Sequence, residues 1–265
     1  MDVSHGECVM VETPSGDLIM LGAADNPLTG WSPTQLLRRT GVRPRLLVLT
    51  NYDKDHLSDL PNFTPEIRPA TIMRNYDADI DDIVDAKIAK NGEVAPGVAQ
   101  AADWVNTVFT GARVKHDYGM EVKHFYNHPT HFGYDDTNNL SVVSFLADAG
   151  VGVLNCSDIE AAGLAKLIER EDFREVLGRT NVIIAPHHGR INGYLAEMFE
   201  HTTPDAVIIS DKPIVHDTQN HNRYAKHAKG IPFNDGSVRH VLTTRNDGKI
   251  TIQTKGMGSY QIATE

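Results

Sequence analysis

Short apolar runs alternate along the chain with clusters of polar residues, and the spacing of the two predicts most of the elements. Residues 8–12 (CVMVE) and 17–23 (DLIMLGA) flank Thr13-Pro14-Ser15-Gly16, a turn with Pro and Gly in place, so a β-hairpin is expected first. Ser32-Pro33 supplies a cap and an N1 proline for a short helix that Gly41 closes. A buried strand, RLLVLT at 45–50, runs straight into Asn51-Tyr52-Asp53. Residues 61–127 lose this regularity: acids alternate at 77–85, Pro96-Gly97 breaks the pattern, and a divergent, partly helical insertion is expected. From 139 the simple pattern returns with two strands, NLSVVSFLAD and GVGVLNCSD, then two amphipathic helices, AAGLAKLIER and DFREVLGR. Two more apolar strands follow, VIIAP at 182–186 and DAVIIS at 205–210. The tail VRHVLTTRNDGKITIQT reads as a second hairpin turning through Asn246-Asp247-Gly248. Hairpins at both ends with helices between predict an α+β fold, two sheets packed face to face with helices outside, in a single domain over residues 1–265.

Composition narrows the class. A chain of 265 residues that is 40% hydrophobic is long enough to bury a sizeable core. Its two cysteines, Cys8 and Cys156, are too few for a disulfide framework and fall inside apolar runs, which points to a reducing compartment. No apolar stretch approaches the roughly 20 residues a membrane helix needs, and Met1-Asp2-Val3-Ser4 opens without a basic n-region. A soluble, cytoplasmic protein with no membrane attachment is therefore expected. The formal charge of −10 argues against broad electrostatic adhesion to nucleic acid or anionic membrane.

Polar clusters end four of the apolar strands, where open sheets and sandwiches present their chemistry. The first holds Asn51, Asp53, Asp55 and His56 within six residues; it is either a convergent ligand loop or an Asp/Asn-rich turn with a helix cap. Asp158 ends the second, as ligand or as N-cap. In the third, His187 and His188 are adjacent and Gly189 frees the backbone after them, a pattern that favours metal binding or catalysis. Imidazole and carboxylate together suit Zn²⁺, Mn²⁺ or Fe²⁺. His221, in Gln219-Asn220-His221-Asn222 beyond DAVIIS, can return to the same rim. Asn138, Asn139 and Ser141 can offer amide or hydroxyl contacts to phosphate or water, or form an Asn turn. His5, His128, His131, His216, His227 and His240 are weaker signals.

The order of TNYDKDHLSDL, NNLSVV, NCSDIE, APHHG and SDK…NHNRY resembles the metallo-β-lactamase superfamily, and within it the hydrolase domain of ComEC-type competence proteins and their free-standing relatives. DVSHGECVMVETPSGDLIMLGA and VLTTRNDGKITIQT resemble that group's opening and closing hairpins, so the likeness covers nearly all of the chain except 61–127. The resemblance implies a four-layer αββα sandwich and a divalent metal centre, Zn or Mn, of one or two ions. It places Asp55, His56, Asp158 and His188 at one metal position, leaving His187 toward substrate. The family's His-x-His-x-Asp-His signature falls on Asn51, Asp53, Asp55 and His56, so two histidines are replaced and only Asp53 keeps an anionic ligand for a second ion. The family's acid after the second strand is Gly22 here. The function implied is metal-dependent hydrolysis of a phosphoester or nucleic-acid substrate, with Asp55, His187 and His221 as catalytic candidates and Asn51, Asn138, Asn139 and Ser141 as substrate contacts. The loss of two histidines leaves an alternative, a catalytically degenerate module acting through a protein partner; homo-oligomerisation is open.

Overall fold

The computed structural model describes residues 1–111, 115–219, 221–233 and 235–265. In chain order its strands and helices are β1 (Val9–Glu12), β2 (Leu18–Leu21), α1 (Pro33–Thr40), β3 (Leu46–Val48), α2 (Lys54–Leu57), β4 (Thr71–Met73), α3 (Ile80–Asn91), α4 (Pro96–Asp103), β5 (Glu121–Phe125), β6 (Val143–Asp148) and β7 (Val151–Asn155). They continue with α5 (Ala161–Ile168), α6 (Glu171–Leu177), β8 (Val182–Ile184), β9 (Ala206–Ile209), α7 (His221–Ala225), β10 (Ile231–Pro232), β11 (Val238–Arg239), β12 (Val241–Thr243), α8 (Thr244–Asp247), β13 (Ile250–Gly256) and β14 (Ser259–Thr264).

This is a mixed α/β fold whose two larger sheets are themselves mixed. The first has the order β1-β2-β3-β4, antiparallel at the opening hairpin and parallel from β2 onward. The second has the order β12-β9-β8-β7-β6-β5, parallel from β12 to β7 and antiparallel beyond. Strand alternation sorts the apolar side chains. Ile19, Leu21, Leu46 and Val48 of the first sheet share one cluster with Leu146 of the second and with Val142. Met20 and Leu47 face the other way, onto Leu37 of α1, Leu57 of α2, Ile83 of α3 and Val98 of α4. In the second sheet Phe145, Leu154, Ile183 and Val207 pack against Leu164 and Leu167 of α5 and Phe173 and Val176 of α6. Among the described residues, no helix is long and apolar enough to cross a membrane.

The predicted opening hairpin and the Ser32-capped helix form as expected, the Ser32 hydroxyl accepting from Gln35 N and Gly41 adopting φ 67°. The closing hairpin turns elsewhere. Asn246 and Asp247 lie in the short helix α8, whose cap is Thr243, and Asp247 accepts from Thr243 N at 2.8 Å. β12 pairs in parallel with β9, and α8 rather than a tight turn joins it to β13. The hairpin is instead β13–β14, turning at Gly256-Met257-Gly258, all three at positive φ. Asn139 and Leu140 form a helical turn, and their strand starts only at Val143.

The 61–127 segment is partly helical, with α3 and α4 bracketed by β4 and β5. It braces the chemistry: α4 lies so close to α2 that a Cβ on buried Gly97 would meet the Leu57 carbonyl oxygen at 1.9 Å. Because α2 carries Asp55 and His56, Gly97→Ala is expected to lower stability by about 1–3 kcal/mol through overpacking. The urea midpoint checks this; a midpoint equal to that of the parent protein rules the close contact out.

Candidate metal centre

The site assembles where β3, β7 and β8 end. β3 runs through Thr50 and Asn51 into α2, bringing Asp55 and buried His56; β7 runs through Cys156 and Ser157 to buried Asp158; β8 leads to buried His188. Among the described residues, Asp55, His56, Asp158 and His188 form a group in which one ligand atom from each lies within 4.8 Å of every other. His56 Nε2 is 3.2 Å from Asp158 Oδ2, and His188 Nε2 is 3.2 Å from Asp158 Oδ1 and 3.6 Å from Asp55 Oδ2. Among the described residues, neither Nε2 makes a well-aligned hydrogen bond, although both are buried. Buried polar atoms normally have one, and these separations match the roughly 3.4 Å edge of a tetrahedron of ligands about 2.1 Å from a central ion. Two imidazoles and two carboxylates therefore fit a divalent cation of the zinc or manganese type in charge, donor chemistry and spacing.

The electrostatics agree. Burial opposes charge on Asp158, His56 and His188, yet the mutual attraction of imidazole and carboxylate prevails, holding the Asp158 carboxyl well below the usual range and both imidazoles above theirs. The buried Asp158 carboxylate and the half-buried Asp55 carboxylate beside it thus favour positive charge between them, supplied by protons on the histidines or by a cation in their place. At the flank, burial wins instead: His187 is lowered, and His5 is pushed down to about 3 by burial and by neighbouring His188.

Glu7 orients His56. Its Oε2 lies 2.9 Å from His56 Nδ1 and accepts from Thr50 Oγ1 at 2.5 Å and Ser157 Oγ at 3.2 Å, while Asn155 Nδ2 donates to Oε1. A carboxylate on Nδ1 fixes the tautomer and leaves the Nε2 lone pair for the site. Sequence reasoning missed Glu7; the only hint was an acid immediately before the first apolar run. Gly22 makes room for it, since a Cβ there would meet the Glu7 carbonyl oxygen at 2.4 Å.

His187 and His188 do not alternate sides as in a strand. With φ of 47° and 53°, and 71° at Gly189, they form a left-handed turn, which directs His188 into the group. His187 stays at its edge, Nε2 4.0 Å from Asp158 Oδ2 and Nδ1 3.3 Å from Glu160 Oε1. Non-glycine residues at such φ cost about 1–3 kcal/mol each and gather where a site needs them.

The remaining candidates lie around this group. Asp53 is outside it, paired with the ammonium of largely buried Lys87, which also donates to Thr137 Oγ1 at 2.9 Å. Asn51 Nδ2 donates to Asn138 Oδ1 at 3.1 Å and Ser141 Oγ at 3.0 Å, so these three meet. Asn139 turns away: its Oδ1 accepts from Glu160 N and Gly163 N at the start of α5. His221 joins another cluster, Nε2 3.7 Å from Asp211 Oδ2, which Arg245 also engages at 2.7 Å. Among the described residues it reaches the group indirectly, through Gln219 Nε2, which donates to Asp211 Oδ1 at 3.1 Å and to the His188 carbonyl at 2.7 Å. Asn220 lies outside the described residues. Cys8 and Cys156 are free and buried away from solvent, with burial pushing the Cys8 thiol up to about 12.

The chain matches no protein-family model, and a search of curated proteins finds no match.

Replacing Glu7 by Gln keeps the shape but removes the anion behind His56. Metal affinity, read by calorimetric titration with Zn²⁺ or Mn²⁺, is expected to fall about 10–100-fold; an unchanged affinity would show that Glu7 does not orient the ligand.

Proposed function

We propose that the chain is a metal-dependent hydrolase of the metallo-β-lactamase fold that cleaves a phosphodiester, using one divalent ion held by Asp55, His56, Asp158 and His188. The observation that carries this reading is the convergence, among the described residues, of two buried imidazole nitrogens without well-aligned hydrogen bonds on two carboxylates that follow strands of the two different sheets. The packing order, helices on a four-stranded sheet that shares a core with a six-stranded sheet backed by helices, supports the four-layer αββα arrangement. So does the order of the motifs along the chain. One ion rather than two follows from Lys87, whose ammonium already neutralises Asp53.

When bound, such an ion supplies Lewis acidity toward a phosphoryl oxygen and toward water. The chain's own residues do the rest. Glu7 holds His56 in one tautomer, and Gln219 pins the carbonyl of His188. Asp55, a third exposed at its side chain, faces solvent beside His188 and can take a proton from an attacking water. His187, neutral and held between Glu160 and Arg190, stands at the edge of the group, where its imidazole can hydrogen-bond a substrate oxygen. Asn51, Asn138 and Ser141 line the neighbouring polar wall.

The test is metal content of the purified protein together with turnover of bis-p-nitrophenyl phosphate. Asp158→Ala is expected to empty the site and lower turnover by several kcal/mol of transition-state stabilisation, roughly 10²-fold or more. Asp158→Asn, which removes only the charge, is expected to be nearly as damaging. Full metal content and full rate in both variants would refute the assignment. A folded parent protein with neither metal nor turnover would favour the binding-module alternative.

A further inference from the structure

The strained turn that delivers His188 also delivers Arg190, and its surroundings are unusual for an arginine. Arg190 Nη2 lies 2.8 Å from His5 Nε2, and Nη1 lies 3.2 Å from His187 Nε2. A guanidinium has donors only, so both ring nitrogens must accept, and both imidazoles are neutral partners to a full positive charge. Among the described residues, no carboxylate lies within ion-pairing distance of Arg190, whereas Arg239 is paired with Asp247 and Arg245 with Asp211. Among the described residues, Arg190 Nε and His5 Nδ1 are buried without a hydrogen-bond partner, and His187 Nδ1, on a residue only 6% exposed, has only the 3.3 Å contact with Glu160 Oε1. A half-buried cation held by two neutral rings, with its Nε–H free, is a donor set lacking its anion.

The place of this set narrows the anion. The His5 ring packs on His188 with centroids 4.1 Å apart, and His5 Nε2 is 4.0 Å from Asp55 Oδ2. His187 Nε2 is equally 4.0 Å from Asp158 Oδ2. Arg190 and its two histidines thus border the ligand group on the sides of both of its carboxylates. In a chain of formal charge −10, an anionic group approaching those carboxylates needs a fixed local cation.

We propose that Arg190, flanked by His5 and His187, binds a phosphate oxyanion of the substrate beside the metal position. The identity of that ligand as substrate rests on the hydrolase reading above; the oxyanion site itself does not. Arg190 turns the edge carrying Nε and Nη2 to two of the oxygens, and the imidazoles it releases face the anion from either side.

The probe is inorganic phosphate, titrated by calorimetry into the protein with and without Zn²⁺, with acetate in a parallel titration. Wild-type protein is expected to bind phosphate in both states and acetate more weakly. Arg190→Gln is expected to weaken phosphate binding about tenfold or more, as for loss of a hydrogen bond from a charged group, with metal content unchanged. Arg190→Lys, which keeps the charge but not the fork, falls between and guards against a folding defect in the Gln variant. His5→Gln also weakens phosphate binding with its metal retained. Phosphate affinity untouched by Arg190→Gln, acetate binding as tight as phosphate, or loss of metal together with phosphate would each overturn the proposal. Such a failure is distinct from failure of the hydrolase reading, which is judged by metal content and turnover of the wild-type protein alone.

Discussion

The buried carboxylate of Glu7 is the contact on which the centre depends. An isolated carboxylate in a protein interior costs several kcal/mol even after relaxation, and it is tolerated only where hydrogen bonds replace its water. Here Thr50, His56, Asn155 and Ser157 all address it. Those residues belong to the end of β3, to α2 and to the end of β7, and Glu7 itself precedes β1. One side chain therefore ties the first sheet to the second at the level where the ligands emerge, and two glycines let it in. A Cβ on Gly22 would strike the Glu7 carbonyl, and one on Gly6 would meet the Asp55 carbonyl at 2.6 Å. Close backbone approach and a satisfied buried charge are here the same constraint.

The second constraint is the turn from His187 to Gly189. Three successive left-handed residues are unfavourable locally, so the surroundings must hold them. His187 N donates to the Ser157 carbonyl at 2.8 Å, and Arg190 N donates to the His187 carbonyl at 3.0 Å. Gln219 takes the His188 carbonyl and is itself held by Asp211, which Arg245 neutralises. Asp211 and His221, which lie away from the ligand group, thus act on it through the backbone of His188. Gly189 is hemmed in as well as turned, for a Cβ there would meet Ile209 Cδ1 at 2.7 Å.

The polar clusters were legible in the sequence because each follows an apolar strand; the choice of Asp55, His56, Asp158 and His188 from among them, over Asp53 and His187, came from the resemblance of the motif order. Glu7 could not be picked out, because its partners are up to 150 residues away and an acid ahead of the first strand resembles any solvated residue. Lys87 was invisible for a similar reason: a lysine among acids on a helix looks exposed, and only the packing of α3 buries it. Asn246-Asp247-Gly248 misled because the residues that favour hairpin turns also favour helix ends. Thr243 and Arg239 claim Asp247 for a helical turn, and β13 pairs with β14 rather than turning back on β12.

Lys87 also bears on how many ions such a centre holds. Asp53 and Asp55 are two residues apart, and a second ion drawing on Asp53 would compete with the ammonium that already pairs with it. Displacing that ammonium means leaving a largely buried lysine without its counter-charge, which costs several kcal/mol before any ligand bond forms. Thr137 holds the same ammonium, and its neighbour Asn138 is tied to Asn51 and to Glu160, so moving Lys87 also disturbs that polar wall. With Asp53 neutralised, the carboxylates left to face a cation are Asp55 and Asp158, two negative charges for one divalent ion, with two imidazoles completing the set. The segment between 61 and 127, which has least in common with the resemblance, therefore bears directly on the group: it contributes the ammonium that neutralises Asp53.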